Sequence, residues 1–127
     1  MNGQMHNNTR KQKGAAAEEA AALHLIAEGY HILDRNWRCR SGELDIVACK
    51  DDVIVIVEVR SRTGNTTQFG TPAESVNARK MSQVRKTAEV YLYYKQIETQ
   101  TIRFDVMAVN LNKELTVLKM EHILDAF

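Results

Sequence analysis

Two acidic residues stand where acids are unusual. Asp45 interrupts the run Gly42-Glu43-Leu44-Asp45-Ile46-Val47, and Glu58 is the one polar residue between Val53 and Val59. Side chains alternate across a strand, so Glu43, Asp45, Val47 and Cys49 share one face, and Ile54, Ile56, Glu58 and Arg60 share another. With Asp51-Asp52 as a two-residue turn, Lys50 pairs with Val53. Counting back then sets Asp45 opposite Glu58 and Glu43 opposite Arg60. A three-residue turn would shift the register by one and part the acids. Directly opposed residues have Cβ atoms about 5 Å apart. Two carboxylates at that separation repel, and the isoleucines flanking Glu58 raise the cost of keeping it charged. A divalent cation such as Mg²⁺, which takes one or two carboxylates together with waters and phosphate oxygens, would relieve both penalties.

The same spacing has a plainer reading. Glu43 pairs with Arg60, Arg60 also holds Glu58, and the acids form a charge ladder without metal. Glu18 bears on the choice. It precedes Ala21, Ala22 and Leu25 at helical spacing, on the apolar face of a helix expected over 15–28, so it can point at the same site. Its alternative role is that of a first-turn acid favoured by the helix dipole, a role that Glu19, off the apolar stripe, fits better. Trp37 with Arg38 and Arg40 offers base stacking and phosphate pairing, or else Trp37 plugs the edge of the core. Arg79, Lys80, Gln83 and Lys86 line one side of a later helix, as a phosphate contact or a solvated face. His6, His24, His31 and His122 lack metal-ligand spacing, and the chain has neither a glycine-rich phosphate loop nor a nucleophile elbow.

The elements that must position these residues follow from periodicity and punctuation. Residues 1–13 read as a flexible, polar, basic arm carrying Arg10, Lys11 and Lys13. The helix over 15–28 stops at Gly29. A short edge strand over 30–35 precedes a polar loop over 36–42. The strands 43–49 and 53–59 form the hairpin, and a polar loop follows over 61–70. Thr71-Pro72-Ala73-Glu74 is a capped helix start, with the helix running to about Lys95 and burying Val76, Met81, Val84, Ala88, Tyr91 and Leu92. Strands over 102–110 and 115–119, then a short helix over 121–124, complete the chain. Helix, strands, helix, strands predicts one α/β domain over 14–127, a mixed sheet covered by helices.

A length of 127 residues suits one domain, with 44% apolar residues to fill its core. The net charge of +1 neither demands nor excludes nucleic acid, since a local basic patch is what counts. Cys39 and Cys49 are too few for a disulfide framework or a cysteine-only zinc site, and both read as reduced thiols. No apolar run approaches the roughly 20 residues of a membrane span. The polar start lacks the core of a secretory signal, so a cytoplasmic protein is expected.

Several pieces, taken together, carry a family resemblance. They are Gly14 with Glu18, Ala21, Leu25 and Gly29-Tyr30; Asn36-Trp37-Arg38; Gly42-Glu43-Leu44-Asp45; Val57-Glu58-Val59-Arg60 with Arg62; Phe69-Gly70 with Pro72; Lys80; Arg103-Phe104-Asp105-Val106; and Ala126-Phe127. So spaced, from about Lys13 to the end, the chain resembles the YraN-like family of small predicted endonucleases. That family is similar to archaeal Holliday-junction resolvases within the PD-(D/E)XK nuclease superfamily. The resemblance implies a restriction-endonuclease-like α/β fold and a Mg²⁺- or Mn²⁺-dependent endonuclease acting on DNA, branched DNA included. It implies catalytic roles for Glu18, Asp45, Glu58 and Arg60, with metal held by Asp45, Glu58 and Glu18. Apart from the resemblance, the basic residues expected to contact nucleic acid are Arg38, Arg40, Arg62, Lys80 and Lys86. A homodimer and DNA-processing protein partners are further expectations.

Two positions depart from the pattern. Arg60 stands where a lysine is expected, and Ala17 replaces the glycine before Glu18. Arginine stays protonated and cannot act as a base, yet it can orient a water or steady an attacked phosphate. The alternatives are therefore a catalytically weak or inactive nucleic-acid-binding module of the same fold, or a protein-interaction domain, which the near-neutral charge allows.

Overall fold

In the computed structural model, residues 9–64, 77–98 and 101–127 are described. Helix α1 spans Arg10–Ala27. Its start is a capping box: the Thr9 hydroxyl accepts the Gln12 N–H at 3.1 Å, and the Gln12 side chain accepts the Thr9 N–H at 2.7 Å. The cap places Arg10–Lys13 in the helix, so that stretch of the expected arm is ordered helix. At the other end Gly29 adopts φ +94°, Tyr30 N–H returns to Leu25 O and Gly29 N–H to Ile26 O. This closure needs a left-handed residue, which glycine adopts without penalty.

The strands are β1 (His31–Cys39), β2 (Gly42–Lys50), β3 (Val53–Thr63), β4 (Ile102–Leu111) and β5 (Val117–Ile123), and helix α2 (Ala78–Tyr94) joins β3 to β4. They form one sheet in the order β1-β2-β3-β4-β5. Only β3 and β4 run parallel, the pair whose connection carries α2. This mixed sheet flanked by two helices is the α/β architecture expected, and it is consistent with a restriction-endonuclease-like fold. The β2–β3 turn is the two-residue one: Asp51 (φ +51°) and Asp52 (φ +64°) both take the positive φ that a type I′ turn requires, and Lys50 pairs with Val53.

The two helices cover opposite faces. Ala21, Ala22 and Leu25 of α1 pack on Ile46, Ala48, Val55 and Val57, while Val84, Ala88 and Tyr91 of α2 pack on Val47, Ile54, Ile56 and Phe104. Adjacent residues of β3 thus serve both layers, which explains its unbroken apolar run. Ile26, expected on the buried stripe of α1, is 53% exposed.

Element boundaries differ from the sequence expectation elsewhere as well. β1 runs on through Trp37 and Arg38, expected in a loop, because Trp37 pairs with Leu44 and Arg38 with Glu43. β3 extends to Thr63 because β4 continues beside it to Leu111. Glu121–Ile123 is strand, not helix, paired on β4 from Ala108 back to Val106. The described part of α2 begins at Ala78, where the Asn77 side chain accepts the Lys80 N–H at 2.8 Å. The predicted cap Thr71-Pro72-Ala73-Glu74 lies outside the described residues. Among the described residues, no helix is long and apolar enough to cross a membrane.

Candidate active site

The β2–β3 ladder runs from Lys50↔Val53 to Ile46↔Val57 and stops one residue short of Asp45 and Glu58. There backbone pairing gives way to side chains. The Asp45 carboxylate accepts the Val59 N–H at 2.8 Å, and the Asp45 N–H donates to the Glu58 carboxylate. Each acid is thereby tied to the other's strand, close enough for the charge of Asp45 to act on Glu58.

Neither acid is comfortable when charged. Glu58 is 2% exposed, and its Oε2 is buried without a hydrogen-bond partner. Burial, then the charge of Asp45, pushes the Glu58 carboxyl up to about 7, against the pull of Lys80, Arg60 and the Asp45 N–H. Asp45 is also pushed up, first by burial. The Val59 N–H and Lys80 oppose that shift, and Glu43 and Glu18 add to it. Lys80, from the first turn of α2, brings Nζ to 3.6 Å from Glu58 Oε1.

The charge ladder of the plainer reading does not form. Glu43 pairs with Arg38 at 2.9 Å, across β1–β2, rather than with Arg60. Arg60 has a buried Nε without a hydrogen-bond partner.

Glu18 reaches the same region from α1 and is spoken for. Its Oε2 accepts Arg35 Nε at 2.9 Å and Asn36 Nδ2 at 3.0 Å. Both neighbours face α1 because Asn36 has φ +52°, a left-handed conformation that breaks the strand's alternation and that asparagine tolerates. Glu19, outside the buried stripe, takes Arg35 Nη1 at 2.8 Å. A cavity of about 430 Å³ opens between the start of α1 and the strands, with Lys11, Glu18, Arg38, Glu43 and Asp45 in its lining. Among the described residues no group of three His, Cys, Asp or Glu gathers closely enough to hold a metal. A divalent cation held here would draw on Asp45 and Glu58, the two acids brought together by β2 and β3, and Glu58 Oε2 has no hydrogen-bond partner.

The other expected contacts scatter. Arg38 borders the cavity, Arg40 is exposed in the turn after β1, Arg62 is half-buried near the end of β3, and Lys86 is exposed on α2. Trp37 meets Tyr91 edge-on at 5.1 Å and packs on the α2 layer, which is the core-edge role. The basic side of α2 divides, with Lys80 on Glu58 and Gln83 donating to Ser41 O at 3.3 Å. The Arg103-Phe104-Asp105 motif is scaffolding. Asp105, fully buried, accepts Arg103 Nε and Nη2 at 2.8 Å and the Asp125 N–H at 2.9 Å, with His122 Nε2 at 2.8 Å. Phe127 packs on Phe104. Both thiols are free, and Cys39 Sγ lies 3.1 Å from Ser41 Oγ.

Sequence reasoning missed Arg35 and Asn36 as the holders of Glu18, Lys11 as part of the cavity, and Lys80 as the partner of Glu58. The one local signal was an asparagine, a residue suited to positive φ, inside the polar run.

The model of the uncharacterised protein family UPF0102 matches residues 17–109. A UPF0102 protein of Moorella thermoacetica is 45% identical over 119 residues, covering 94% of this chain and 98% of that protein. One of Pelotomaculum thermopropionicum is 45% identical over 120 residues, covering 94% and 98%. One of Caldanaerobacter subterraneus is 40% identical over 124 residues, covering 97% and 100%.

Proposed function

The chain belongs to the UPF0102 family, and on that footing we propose that it is a divalent-metal-dependent endonuclease acting on DNA, with branched DNA the first substrate to try. The observation that carries this reading is Glu58: a buried carboxylate with a partnerless oxygen, whose pKa is raised first by that burial and then by the second carboxylate beside it. An arrangement so costly without a counter-charge is what a cation site requires.

Asp45 and Glu58 would hold Mg²⁺ or Mn²⁺. Once bound, the cation supplies an activated water and neutralises charge on the attacked phosphate. The Val59 N–H fixes the Asp45 carboxylate, so this ligand is oriented before substrate arrives. Arg60, two residues beyond Glu58, supplies a permanent positive charge for a phosphate oxygen. Lys11 and Arg38 at the cavity contact neighbouring phosphates, which set register on the nucleic acid without reading bases. Glu18, held by Arg35 and Asn36, adds negative charge beside Asp45 and so favours a cation there.

The test compares the parent protein with Asp45→Ala and Glu58→Ala on linear, nicked and four-way DNA, with and without Mg²⁺ or Mn²⁺. Metal-dependent cleavage by the parent, abolished in both variants, supports the reading. DNA binding without cleavage on any substrate supports the second reading instead: a binding module of the same fold. Arg60 favours that one, since it leaves the site without a proton acceptor at that position. Arg60→Lys separates the two, because faster cleavage in this variant marks a functioning site that arginine slows.

A further inference from the structure

Lys80 occupies an unfavourable position unless an anion is close. It is the third residue of α2, fixed there by its N–H bond to the Asn77 side chain, and the first turn holds no acidic residue. The helix dipole and the adjacent Arg79 both disfavour a cation at that end. The Lys80 ammonium nevertheless turns to Glu58, where at 3.6 Å it is a charge contact rather than a tight hydrogen bond. The Lys80 side chain is 32% exposed on a flexible stem, while the Glu58 side chain is 2% exposed. One partner can move and the other cannot. Glu58 Oε2 is still left open.

We propose that Lys80 is an exchangeable counter-ion: it neutralises Glu58 until a divalent cation takes that carboxylate, and its ammonium then passes to a phosphodiester oxygen of the substrate. This rests on the reading of Asp45 and Glu58 as cation ligands. Two positive charges compete for one buried carboxylate, so the arrival of the second displaces the first. The displaced ammonium lies at a helix N-terminus that itself favours phosphate. Cation loading and substrate binding are thereby coupled through one side chain, and the site presents its phosphate contact only when it is loaded.

Two measurements on the full chain test the exchange without any cleavage. The first is calorimetric titration with Mn²⁺ in the absence of nucleic acid. Lys80→Met is expected to bind Mn²⁺ about tenfold more tightly than the parent, since a competing charge roughly 4 Å away is gone. Lys80→Arg should stay close to the parent. The second uses Glu58→Gln, which frees Lys80 with no metal present. In chelator, its affinity for a DNA duplex should exceed that of the parent, with a salt dependence steeper by about one phosphate contact. Adding Lys80→Met should remove that gain. Lys80→Gln replaces Lys80→Met if the latter does not fold.

Unchanged or weaker Mn²⁺ binding in folded Lys80→Met, or a Glu58→Gln gain that survives loss of Lys80, overturns the proposal. The outcomes separate it from the nuclease reading. Cleavage that needs Asp45 and Glu58, alongside unchanged Mn²⁺ affinity in Lys80→Met, overturns the exchange alone. Tighter Mn²⁺ binding in Lys80→Met than in a parent that cleaves nothing supports the exchange and removes the enzyme.

Discussion

Asp45 accepts the backbone N–H of Val59 at 2.8 Å, and Val59 directly follows Glu58. A side chain here replaces a rung of the ladder, so the residue that would bind a cation also holds two strands together. Asp45→Asn keeps an oxygen for Val59 and removes the charge. Its urea midpoint should stay near the parent's, and metal-dependent cleavage should fall by about a hundredfold or more. Asp45→Ala leaves the buried N–H unpaired and should lose a further 1 kcal/mol or so of stability.

Stability should fall as pH rises through neutrality. Folded Glu58 holds its proton up to about 7, against an ordinary value of 4.5. Between those values the folded chain binds more protons than the unfolded one, so each rise in pH favours unfolding. The effect is up to about 3 kcal/mol at pH 8. Urea titrations at pH 5 and pH 8 should show the loss in the parent, and Glu58→Gln should flatten it. Mg²⁺ at pH 8 should restore part of it in the parent alone.

Asn36 joins a strained backbone to the grip on Glu18. Asn36→Gly relieves the backbone and drops the side-chain bond. Asn36→Ala drops the bond and keeps the strain, so it should be the less stable of the two by about 1 kcal/mol. Thermal melts of both variants read the difference.

Much of this was legible in the sequence because it was local. Asp51-Asp52 fits a two-residue turn, and once the turn is fixed, the register from Lys50↔Val53 to Ile46↔Val57, which brings Asp45 near Glu58, follows by counting. Glu18 was visible because helical spacing put it on the buried stripe. What escaped depends on distant partners. Trp37 and Arg38 look like loop residues until Leu44 and Glu43 are seen across from them. The strand at Glu121–Ile123 forms because β4 offers an edge, which local propensity does not record. Lys80 reads as a surface cation, and only the packing of α2 on the face that β2 and β3 share brings it to Glu58.

Asp105 anchors the far side of the sheet, and its burial is matched by bonds from Arg103, His122 and the Asp125 N–H. Although burial opposes ionisation, these bonds hold its pKa below the ordinary carboxylate value, so their stabilisation is present at neutral pH and fades as pH falls through the acidic range. Asp105→Ala strands Arg103 and His122 and should cost about 3 kcal/mol or more in urea unfolding. The site's Mn²⁺ affinity in whatever fraction stays folded should not change.

The most direct test of the central claim is the single-turnover cleavage rate of a four-way DNA junction at saturating Mg²⁺, for the parent and for Glu58→Gln with its fold verified by its melt. A rate that appears with Mg²⁺, vanishes in chelator and drops at least about a hundredfold in Glu58→Gln is the predicted result. Equal rates in the two proteins, or cleavage that persists in chelator, would contradict it.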